Sequence, residues 1–291
     1  MVYFLLAASV VLAVVKSAFL KQYSTHSQNS NSRIFLFNLV AFGLAALIQS
    51  VLQLATQGLP AISLWTLLPA VGYALSCYLM QLFLMKSMAI GPMGLSSLFC
   101  MYGLIIPAIA GPIFFGEAFS IWKGLGVLFM LLAIFFSVDL KGESAATSKK
   151  WLLFALLTLI FSGMVGLCEK IHQTGEGKAE ISSFLTIAFW LIFLLNLVTF
   201  PFVKRREETP PSYRAGLLFA LLTGLVVVGY NRINLTLAGK LPTMIYYPIS
   251  SGGAVLLTLM VSILIFREPL RKKIALSFLF GTAAILLLGL F

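Results

Sequence analysis

Acidic residues are scarce in this sequence: nine Asp and Glu stand against 20 Lys and Arg in 291 residues, and only 10% of residues are charged. Soluble domains carry about a quarter, so that class is excluded. With 60% apolar residues and a mean hydropathy of +1.02, the chain reads as an integral membrane protein with the lipid bilayer as its surroundings. The acids present, among them Glu117, Asp139, Glu169, Glu180 and Glu268, all fall at the ends of apolar runs or in connections. A carrier that exchanges protons for lipophilic cations needs a carboxylate deep in the membrane, its pKa raised by burial. Cation export therefore ranks below transport of small metabolites.

Histidine is nearly missing. His26 and His172 lie near run ends, and neither H-E-x-x-H nor G-x-S-x-G occurs, so an intramembrane enzyme has no nucleophile, base or metal set to work with. The expectation is a protein that is not an enzyme and holds no cofactor and no metal. Cys77, Cys100 and Cys168 sit inside apolar runs without ligand-like spacing, which makes them packing thiols. A net charge of +11 would suggest nucleic acid in a soluble chain, but here the charges lie in short connections. They are topology signals, and no nucleic acid partner is expected.

What the chain does have is long apolar runs. A bilayer core about 30 Å thick takes roughly 20 residues of helix, and ten such runs occur, near 2–20, 33–55, 62–86, 91–115, 120–138, 151–171, 181–203, 214–239, 242–266 and 272–291. The first lacks a basic leader, its first Lys being Lys16, so it reads as a retained span and not a cleaved signal. Sliding the sequence by 151 residues superposes Met93 on Met244, Phe115 on Phe266, Glu117 on Glu268 and Leu128-Phe129 on Leu279-Phe280. The spacing predicts an all-α fold of ten transmembrane helices in two five-helix repeats, 1–140 and 151–291, joined by a linker at 141–150. An odd number of spans per copy forces the copies into opposite orientations, the inverted-repeat arrangement of many carriers.

Orientation follows from Lys and Arg. Fourteen fall in the connections after the first, third, fifth, seventh and ninth runs, and four on the other side. The positive-inside rule puts the first set in the cytoplasm and both termini outside.

Ten short helices in two copies, Gly116-Glu117 after the fourth, Arg267-Glu268-Pro269-Leu270 after the ninth and Arg33 opening the second together resemble the drug/metabolite transporter superfamily, EamA-like branch. The resemblance covers nearly the whole chain. It implies a multi-pass carrier of the cytoplasmic membrane in which helices one, three, four, six, eight and nine surround a central cavity. It also implies cytoplasmic termini, opposite to the charge count.

Arg232 is the clearest candidate for binding. It lies roughly 7 to 10 Å from the middle of its span, flanked by Tyr230 and Asn231, and its planar fork suits a carboxylate or phosphate. Snorkelling or a structural pair with Glu169 is the alternative. Lys16, one turn inside the end of its run, is expected on the opposite side, so the two cations would mark two mouths of one cavity. Tyr247, Ser250 and Ser251 near Pro248, and Tyr78, Gln81, Ser97 and Tyr102 on helices three and four, complete the candidate substrate wall; close helix packing explains the same small residues equally well. Asn38, Gln49, Gln53 and Asn196 read as interhelical hydrogen bonds. Glu117 and Glu268 read as caps on the helices they open. The functional expectation is a secondary transporter of a small anionic or zwitterionic metabolite. Export of neutral or lipophilic drugs is the alternative, a channel ranks lower, and a homodimer is left open.

Overall fold

The computed structural model describes residues 2–26, 31–60, 62–103, 105–115, 120–137, 148–204, 216–238, 250, 252–267 and 272–290. Among these the chain is helical, without strands. The helices are α1 (Val2–His26), α2 (Asn31–Gln57), α3 (Leu64–Ile90), α4 (Met93–Tyr102), α5 (Ile105–Phe114), α6 (Ile121–Ser137), α7 (Lys149–Thr174), α8 (Ile181–Lys204), α9 (Leu217–Ala238), α10 (Gly253–Leu264) and α11 (Lys272–Leu290). Among the described residues six segments are long and apolar enough to cross a membrane: Val2–Tyr23, Asn31–Gln57, Leu64–Ile90, Met93–Gly111, Lys149–Thr174 and Ile181–Lys204. The first part of the ninth expected run, with Tyr247 and Pro248, lies outside the described residues, as do Ser251, Glu117 and Glu268.

Two elements differ from the sequence expectation. Helix α1 continues past residue 20 to His26, because Lys21 to His26 contains no Gly or Pro to stop it. Its polar end is held by neighbours: Lys21 Nζ donates to the carbonyls of Met88 at 2.9 Å and Gly91 at 2.8 Å, which terminate α3. Tyr23 Oη donates to the Arg33 carbonyl at 2.7 Å. The fourth run is not one helix but two. Pro107 has no N–H to give the Gly103 carbonyl and its ring crowds that carbonyl, so the chain turns at Gly103, whose carbonyl is instead taken by Ile106 N at 3.0 Å. Ser162 of α7 donates to the Cys100 carbonyl next to the break at 2.6 Å. The crossing is tight: a Cβ on Gly103 would lie 2.6 Å from the backbone nitrogen of Gly163.

The main packing partners are α3 with α7, α6 with α11, α2 with α8, and α1 with α9; α9 also packs on α2, α8 on α3, α10 on α1 and α4, and both α4 and α5 on α7. Within a mainly apolar interior several amide side chains are buried. Asn38, Gln49, Gln53 and Asn196 are at most 1% exposed, while Phe4, Leu64, Phe114 and Leu279 lie 65% exposed or more on the outer surface. Buried amides beside exposed large apolar side chains are the informative departures from the usual aqueous arrangement.

Candidate functional site

Three consecutive residues of α9 point in three directions, as the 100° step of a helix requires. Tyr230 turns toward α1, where Lys16 Nζ stands 5.3 Å from its ring centre. Asn231 Nδ2 donates to its own helix at Val227 O, 2.8 Å away. Arg232 turns toward α2, and its Nε donates to Gln49 Oε1 at 3.4 Å.

This corrects two expectations. Lys16 is not at the mouth opposite Arg232 but near the middle of the extended α1, beside the residue two positions from Arg232. Glu169 is not the partner of Arg232: among the described residues no ion pair joins them, and Gln49 accepts the hydrogen bond instead. Glu169 itself lies more than a turn inside α7, which continues to Thr174 and is long and apolar enough to cross a membrane, so the expectation that every acid sits at a run end or in a connection fails for this residue, because the helix extends past the apolar run.

Arg232 forms part of the wall of a cavity of about 380 Å³, lined by Leu5, Gln49, Gln57, Ile181, Ser182, Leu185, Arg232 and Ile233. The cavity lies between α1, α2, α8 and α9, at the level where α2 ends and α8 begins. Four of its residues are aliphatic and four carry polar groups. Gln49, expected at a helix contact, lines this cavity, as do Gln57 and Ser182, which are not among the sequence candidates. A signal was present: Gln49, Gln53 and Gln57 recur every fourth residue, which places amides along one side of α2. Gln53 ends up serving the helix terminus, with Nε2 3.4 Å from Gly58 O. Nothing in the sequence marks Ser182.

The remaining candidates do not converge on Arg232. Tyr78 Oη donates to Thr199 Oγ1 on α8 at 3.2 Å, and Gln81 is buried on α3 at 4% exposure. Ser97 is likewise 4% exposed, its hydroxyl without a hydrogen bond among the described residues. Tyr102 leaves the expected wall: it is 1% exposed, packs against Gly281 and donates to the Ser277 carbonyl at 3.4 Å, so it braces α11. Ser250 is half-buried. Asn196 bonds its own helix at Ile192 O, 2.7 Å away, and not a neighbour. The three cysteines are free.

A polar cluster that the sequence did not reveal ties α3, α7 and α8 together at the same end of the bundle. Glu180 Oε2 accepts from Thr66 Oγ1 at 2.5 Å and Ser63 Oγ at 2.7 Å, and Thr66 Oγ1 lies 3.3 Å from Nε2 of His172. His172, 2% exposed, stacks on Phe184 with ring centres 4.5 Å apart. The Thr66 and Ser63 hydroxyls hold the Glu180 carboxyl below its ordinary value.

No protein-family model matches the chain. A protein described as uncharacterised from Haemophilus influenzae (strain Rd) is 25% identical over 185 residues, covering 62% of this chain and 61% of the relative's length. A solved crystal structure superposes with a TM-score of 0.61 over 96% of this chain and 97% of that one, at 10% identity. Identity this low establishes a shared fold alone.

Proposed function

We propose that the chain is an integral membrane carrier of the EamA-like kind, moving a small anionic or zwitterionic metabolite by alternating access between two inverted five-helix repeats. The helix packing carries this reading. Counting α4 and α5 together as the fourth of ten segments, exchanging each segment with the one five positions away turns most of the larger contacts into one another, although the α1–α3 packing has no α7–α9 counterpart of similar extent among the described residues. Segment one on eight becomes six on three, two on eight becomes seven on three, and one on nine becomes six on four; two on seven, four on nine and five on ten map onto themselves. A pseudo-two-fold relation between halves accounts for that exchange. The buried amides and the large apolar side chains exposed on the outer surface support insertion in lipid, and a helix broken against a neighbour is a recurring feature of carrier binding sites.

Lys16 and Arg232, on the facing helices α1 and α9, are cations set among apolar residues, and they favour a negatively charged group on the solute. Export of neutral lipophilic compounds is the second reading, favoured by the aliphatic half of the Arg232 cavity. The test is counterflow in proteoliposomes with a panel of organic acids, amino acids and neutral drugs. Saturable exchange of an acid or amino acid supports the carrier; an inert panel sinks it. A steady single-channel current would replace it with a channel.

A further inference from the structure

The cavity beside Arg232 has a specific chemical bias. Its polar lining consists of a guanidinium, two primary amides and a hydroxyl, and among the described residues that line it there is no carboxylate. The neighbouring acid, Glu180, is turned away and held by Ser63 and Thr66. The first turn of α8 supplies Ile181 and Ser182 to the wall, and a helix N-terminus favours negative charge through its unpaired amides and dipole. The same lining also carries aliphatic side chains: Leu5 from α1, Ile181 and Leu185 from α8 and Ile233 from α9. At about 30 Å³ for each water-sized group, a volume of about 380 Å³ holds roughly a dozen non-hydrogen atoms.

We propose that this cavity binds a small aliphatic monocarboxylate, its head on Arg232, Gln57 and Ser182 and its tail against Leu5, Leu185 and Ile233. It does so in preference to an amino acid of the same chain length. An ammonium group would enter a space that already carries a guanidinium, with no carboxylate among the described lining residues to offset it. One of the two lining amide acceptors, Gln49 Oε1, is engaged by Arg232 Nε. The inference rests on the anionic-solute reading above and narrows it from anionic or zwitterionic to anionic.

The experiment is a binding titration of the purified full chain in nanodiscs with hexanoate, hexanamide, norleucine and hexylamine, read by thermal shift and by calorimetry. Hexanoate is expected to bind saturably, and at least about tenfold more tightly than the other three, since a charge-assisted hydrogen bond is lost or a repulsion gained in each. Arg232→Gln should weaken hexanoate about tenfold or more. If that variant fails to fold, Ser182→Leu, which fills the cavity and leaves the Arg232–Gln49 bond in place, should abolish binding while the ligand-free melting temperature holds. Norleucine binding as tightly as hexanoate, or hexanoate binding unchanged in either folded variant, overturns the proposal.

Repeating the titration in phosphatidylcholine and phosphatidylglycerol discs separates a soluble solute from a lipid. Equal affinities support the proposal, and loss of binding in the anionic lipid overturns it in favour of a lipid headgroup. Counterflow of some other metabolite without hexanoate binding removes this assignment alone. Hexanoate binding without flux of any solute supports the site and removes the carrier.

Discussion

Lys16 Nζ stands 5.3 Å from the centre of the Tyr230 ring, joining the middle of α1 to α9. A half-buried ammonium over an aromatic face gains about 0.5 to 2 kcal/mol, more as water is excluded. A double-mutant cycle with Lys16→Met and Tyr230→Leu should show coupling of that size in the unfolding free energy in detergent, and Tyr230→Phe should retain most of it. Additive single effects would mean that the pair is only adjacent.

The tight crossing of α7 at the α4–α5 break depends on two glycines meeting. Gly163→Ala places a methyl against Gly103 O and Ile106, and overpacking of this kind costs about 1 to 3 kcal/mol. Gly166→Ala, one turn along α7, meets only Pro107 Cγ at 3.4 Å and should be neutral or up to about 1 kcal/mol stabilising through helix propensity. Thermal unfolding of the two variants checks the contrast. Equal melting temperatures would remove the close crossing as a constraint.

Lys21 is 8% exposed and donates to the two carbonyls that end α3. Lys21→Met keeps the aliphatic stem and leaves those carbonyls without the ammonium, at a cost of about 1 to 3 kcal/mol. Unfolding by denaturant measures it. A change within error would make this capping bond incidental.

Glu180 gives the chain an acid-sensitive contact. Its folded pKa lies below the ordinary 4.5 because Thr66 and Ser63 donate to the ionised form. As pH falls, the unfolded chain takes up the proton first, so the stabilisation is complete above about pH 4.5 and disappears as pH drops through the folded value. Glu180→Gln should flatten stability over that acid interval and change little at neutral pH beyond a constant offset. Melting temperatures at a series of acid pH values provide the test. An unchanged slope in the variant would assign the acid sensitivity elsewhere.

The sequence by itself determined that the chain is helical and where nearly every helix runs, because a long apolar run without Gly-Pro punctuation has one low-energy backbone when water is scarce. It also marked Lys16, Tyr230 and Arg232 as residues needing an explanation, since charge among apolar neighbours is costly wherever the helix lies. Only the tertiary structure decided which way each side chain faces. Hydropathy fixes a residue's position along a helix axis but not its azimuth when the run is apolar all round, and neighbours from distant parts of the chain settle that. Hence Tyr230 and Arg232, two positions apart, serve different neighbours. Gln49, Gln57 and Ser182 acquire a shared cavity from two helices, and Tyr102 turns from an expected solute wall into a brace for α11.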